Sequence, residues 1–73
     1  MEKQLYRGVF ILKRTGIIRY AYAFSEKQAK AIMIKRLANE QGVDDKIIFG
    51  YFKEHPDKVT INIEMEVRED AIN

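Results

Sequence analysis

The chain has 73 residues, of which 47% are hydrophobic and 33% charged, with no cysteine and a formal net charge of +2. That length holds one domain with a small core, and the composition excludes a disulfide or thiolate-metal scaffold and a chain too polar to fold. The charge is segregated: nine basic residues stand against two acidic ones from Met1 to Arg36, and four against nine from Leu37 to Asn73, so a half that attracts polyanions precedes one that repels them.

Gln4 to Lys13 and Ile17 to Phe24 are rich in aromatic and β-branched residues and flank Arg14-Thr15-Gly16, the pattern of a hairpin with a three-residue loop and Gly16 in the left-handed region. That loop pairs Lys13 with Ile17, Phe10 with Tyr20 and Gly8 with Tyr22. It gathers Tyr6, Gly8, Phe10, Leu12, Ile18, Tyr20, Tyr22 and Phe24 on one face, and Arg7, Val9, Ile11, Lys13, Ile17, Arg19, Ala21 and Ala23 on the other. Ser25, with Gln28 three residues on, is a capping box that opens a helix running to about Gln41, where Gly42 supplies the stop. Its main apolar stripe is Ala29, Ile32, Met33 and Leu37, and Ile34 falls on a weaker second stripe.

Asp44 and Asp45 read as a solvated turn before a third strand, Lys46 to Lys53, and His55-Pro56-Asp57 reads as a second turn. Lys58 to Arg68 alternates cleanly, with Val59, Ile61, Ile63, Met65 and Val67 on one side and Thr60, Asn62, Glu64, Glu66 and Arg68 on the other, the mark of a fourth strand with one wet face. Matching Ile47, Phe49 and Tyr51 to its apolar side leaves Ile48 and Phe52 beside the polar one, and Glu69 to Asn73 read as a frayed tail. The expected fold is therefore a single α+β domain over 1–73, a two-layer ββαββ arrangement with a four-stranded antiparallel or mixed sheet and one helix on one face.

The order strand, strand, helix, strand, with the helix opening Ser25-Glu26-Lys27-Gln28-Ala29, resembles that of small archaeal ribosomal proteins of the LX type and of several short phage or mobile-element proteins. The likeness is confined to layout and to a capping pattern shared by many unrelated families, and it assigns no functional residue.

Catalysis requires convergent polar groups, and the chain offers one histidine, one serine at the helix cap, and glycines scattered singly. His55 reads as a turn residue rather than a proton shuttle, and the adjacent Asp44 and Asp45 face apart in an extended segment, so the expectation is a protein that is not an enzyme and uses no metal or cofactor. The basic half supplies candidates for nucleic-acid phosphate: Arg7, Lys13, Arg14, Arg19, Lys30, Lys35 and Arg36. Two placements compete for the aromatics of the hairpin. Tyr20 and Tyr22 near Arg7 and Arg19 have the makings of a surface on which bases stack, whereas burying all the aromatics under the helix removes more apolar area than burying Ala21 and Ala23 and favours a core role. With the aromatics inside, Val9, Ile11, Ile48 and Phe52 on the open sheet face, or Ile34 on the helix, form a contact for a protein partner or a second copy in a homodimer. No run approaches the length of a membrane span and no secretory leader is recognisable at Met1, so a cytoplasmic protein without a membrane role is expected.

Overall fold

The opening ribbon turns at Lys13 and Arg14, one residue earlier than the predicted loop begins. In the computed structural model, which describes residues 3–64, strands β1 (Gln4–Leu12) and β2 (Thr15–Ala23) are joined by these two residues alone, with Leu12 opposite Thr15. Both lie in the left-handed region, at φ 52° and 65°, the signature of the tight hairpin turn whose twist matches that of the flanking strands. This register places Tyr6 opposite Ala21 and Phe10 opposite Ile17. It differs from the expected pairing by an odd number of residues, and a strand has a side-chain period of two, so every side chain of β2 changes face.

The exchange has a steric cause. Helix α1 (Glu26–Gln41) lies across the inner face of the sheet and buries Ala29, Met33 and Leu37, and beneath it sit Gly8 and Phe10 of β1 with Ala21 and Ala23 of β2. A Cβ on Gly8 would stand 2.7 Å from the Phe10 ring and 3.0 Å from Ile61, and closer still to the Met33 sulfur, so helix and sheet meet where there is no room for a side chain. Tyrosines at that level of β2 would hold the helix off the sheet.

Both ends of α1 form as its sequence predicts. The Ser25 hydroxyl accepts from the Gln28 amide at 3.1 Å, and the Gln28 side chain reaches back to accept from the Phe24 amide at 2.7 Å. At the other end Gly42 adopts φ 71°, and the Val43 amide donates to the Ala38 carbonyl at 3.0 Å, closing the last turn.

The expected third strand is a helix, α2 (Asp45–Glu54). Asp44 caps it by accepting from the Lys46 amide at 2.9 Å, with Asp45 in the first turn and Lys53 in the last, each charge at the favourable end of the helix dipole. Ile48 and Phe52, one turn apart, are buried against the sheet-facing core, and Phe52 meets Phe10 edge-on at 5.3 Å between ring centres. After a 3₁₀ turn (Pro56–Lys58), strand β3 (Val59–Ile63) pairs antiparallel with β1, with Ile61 opposite Gly8 and Asn62 opposite Arg7.

The architecture is thus a small α+β fold with a three-stranded antiparallel sheet, ordered β2-β1-β3, and two helices. This corrects the four-stranded sheet with one helix: a segment assigned to the sheet packs as a second helix beside α1. Ile34, Ile48 and Phe52, predicted to lie on a contact surface, are 0%, 5% and 1% exposed; they form the seam between the helices and the sheet. The part of the fourth strand beyond 64 and the predicted tail lie outside the described residues. No helix among the described residues is long and apolar enough to cross a membrane.

Candidate nucleic-acid interface

Residues directly opposite in an antiparallel ladder share a face, with Cβ atoms roughly 4.5–5.5 Å apart. On the face turned away from the helices the ladder sets Leu5 beside Tyr22, Arg7 between Tyr20 and Asn62, and Val9 between Ile18 and Thr60. Tyr20 is 45% exposed and Tyr22 is 66% exposed, and Ile11, Ile18 and Phe24 are exposed as well. At the far end Lys3 places its ammonium 5.4 Å from the centre of the Phe24 ring, close enough for attraction between cation and π face. The face therefore carries aromatic rings in a row beside a central arginine. Arg7 is half-buried and makes no ion pair among the described residues, and its enclosed Nε has no hydrogen-bond partner there.

Strand β2 forms one edge of the sheet, and two guanidinium groups lie along it. Arg19 donates through Nη1 to the Ile18 carbonyl at 2.8 Å, and Arg36 reaches from α1 to donate to the Tyr20 carbonyl at 2.9 Å. These bonds occupy carbonyls that an incoming strand would need. Arg19 also grips Glu40 of α1 through two hydrogen bonds, Nε to Oε2 at 3.1 Å and Nη2 to Oε1. The bonding raises the Arg19 pKa and lowers that of Glu40 below the usual carboxylate range, against the opposing effect of desolvation.

The candidate phosphate contacts do not form one patch. Arg7 lies at the centre of the open face, Lys13 and Arg14 project from the hairpin tip, and Arg36 stands at the β2 edge next to Tyr20. Arg19 belongs to the inner face at that edge and is engaged by Glu40. Lys35 is exposed on the side of α1 opposite Leu37, and Lys30 lines a cleft between the helices. Of the predicted partner contacts, Val9 and Ile11 lie on the open face.

Tyr20 and Tyr22, whose apolar area favours a core role, stand instead on the open face. The signal that places them outside is the alternation of small residues in β2, Ala21 and Ala23, together with Gly8 of β1 and Ala29 of α1, which marks the side where a helix packs closely. Among the described residues no group of three or more His, Cys, Asp or Glu side chains gathers as a metal site would require. No family model, curated protein or solved structure matches the chain.

Proposed function

We propose that the protein is a non-catalytic module that binds single-stranded nucleic acid on its open sheet face. Bases stack on Tyr20 and Tyr22, and Arg7, Arg36 and the tip pair Lys13 and Arg14 contact phosphate. The observation that supports this most is the exposure of the two tyrosines beside an arginine that no carboxylate engages among the described residues. Rings on a sheet stack on any base, and each stack contributes about 1–3 kcal/mol; cations at the margins hold the backbone and make affinity depend on salt. The strained turn fits the same reading. Left-handed backbone costs a non-glycine residue roughly 1–2 kcal/mol, so a turn built from Lys13 and Arg14 in place of the favoured Asn-Gly gives up stability to carry two cations at the tip.

Fluorescence anisotropy with labelled oligo-dT and oligo-U tests the proposal. Binding that weakens steeply between low and physiological salt, and about tenfold or more when Tyr20 and Tyr22 are both replaced by alanine, is the expected result. Absent binding, or affinity indifferent to salt and to both tyrosines, refutes it.

A second reading rests on the aliphatic part of the same face. Val9, Ile11 and Ile18 lie together there, with Ile18 49% exposed, and such a patch also suits a second copy of the chain packed sheet to sheet. Sedimentation separates the two: a strictly monomeric mass at high concentration contradicts the dimer.

A further inference from the structure

We infer that the cleft between α1 and α2 is a binding site for a small organic anion with an apolar body. Helix α2 turns back along α1 after a three-residue link, Gly42 to Asp44, and the two helices pack together, with Ile34, Ala38, Ile48 and Phe52 buried in the common core. Toward the beginning of α1 a cleft of about 320 Å³ opens, with Ala31 and Phe49 among its lining residues. That volume is at the lower end of the range for small-molecule sites.

The cavity has a composition that selects its ligand. Its floor is Ala31 and Phe49, and its remaining lining residues are Lys27, Lys30 and Lys53. The spacing of 27, 30 and 31 on one helix and of 49 and 53 on the other puts each set on a single helical face. No carboxylate among the described residues lines the cleft, although Glu26 and Glu54 adjoin Lys27 and Lys53 in the chain. Among the described residues none of the three lysines forms an ion pair. Three lysines around a low-dielectric wall of Ala31 and Phe49 bias the cleft toward positive potential, so a ligand with one acidic group and a hydrocarbon or aromatic body satisfies both parts at once. Lysine stems that merely shield the floor from water would show no preference for charge. This site lies in the helix layer, across the sheet from Tyr20 and Tyr22, and does not depend on the nucleic-acid proposal.

The test is an NMR titration of the full chain, following the backbone amides of Lys30, Ala31, Phe49 and Lys53, with naphthalene-1-sulfonate as the amphipathic anion. Its neutral counterpart is 1-naphthylmethanol, and sulfate stands for the head group alone. Saturable shifts confined to these amides are expected with the sulfonate, with both other probes about tenfold weaker or worse. The double variant Lys30→Gln/Lys53→Gln, whose exchanges remove the charge and shorten each side chain by one atom, should keep the dispersed spectrum of the fold and lose at least about tenfold in affinity, while Tyr22→Ala binds as the parent does. Equal binding of the neutral compound, equal binding of sulfate, or sulfonate shifts centred on the sheet face would each overturn the assignment, as would no shift at millimolar probe.

Discussion

The two faces of the sheet are built on opposite rules. Under the helices β2 presents Ala21 and Ala23, 3% and 1% exposed, while on the open side the same strand presents Tyr20 and Tyr22, 45% and 66% exposed. Burial here follows the space available beneath α1 rather than the apolar area each side chain offers. The inner face is optimised for close approach, with Gly8 where a Cβ would collide, and the outer face keeps the large rings. A face that leaves its aromatics in water has forgone the stabilisation their burial would bring, which is why it, and not the inner face, is the place to seek a ligand.

Exchanging one residue from each face gives the sharpest contrast. Phe10→Ala removes a fully buried ring and should cost about 3–5 kcal/mol in urea unfolding, whereas Tyr22→Ala should change stability by no more than about 0.5 kcal/mol. Comparable losses at the two sites would abolish the distinction between the faces. Next in size is the turn. The double change Lys13→Asn/Arg14→Gly supplies residues suited to left-handed backbone and should stabilise the hairpin by about 1–2 kcal/mol, while weakening oligonucleotide binding through loss of two cations. A destabilised product would show that the turn is not of this type.

Smaller still is Gly50→Ala. Gly50 is exposed within α2 and a Cβ there meets nothing within 4 Å, so alanine should raise stability by about 0.5–1 kcal/mol by favouring the helix; the same change at Gly8 brings no such gain, because a Cβ there collides with Phe10 and Met33. The weakest effect is that of acid. Glu40 is held below its ordinary pKa by its hydrogen bonds to Arg19, and Asp44 by the one it accepts from the Lys46 amide. Both carboxylates thus favour folding above the ordinary carboxylate range, and their contribution fades as pH falls through the depressed values. Acid unfolding of Glu40→Gln and Asp44→Asn, compared with the parent, should show stability that depends less steeply on pH in that window.

Much of the fold was legible because local chemistry specified it. Ser25, Gln28 and Gly42 define α1 by side-chain and backbone bonds that need no distant partner, and the alternation of 59–63 reads directly as a strand. The segment 45–54 was not legible from periodicity, since apolar residues at 47, 48, 49, 51 and 52 satisfy both a period of two and a helical face, and its rings and branched residues favour a strand. What decides it is the Asp44 cap with Asp45 in the first turn, a start signal that reads equally well as a solvated loop. The hairpin register escaped for a related reason: Gly16 attracts the left-handed position on steric grounds, yet Lys13 and Arg14 occupy it, because packing of α1 on Gly8, Ala21 and Ala23 outweighs a local preference. Arg7 and the tyrosines were recognisable as components of a stacking surface, but which face held them depended on that one register.

The pairing of β1 with β2 is accordingly the point on which the account rests, and cross-strand backbone proton contacts read it directly by NMR. Contacts joining Leu5 to Tyr22, Arg7 to Tyr20 and Val9 to Ile18 are predicted from the register. Contacts joining Phe10 to Tyr20 and Gly8 to Tyr22 instead would turn the tyrosines under the helix and contradict the proposed surface.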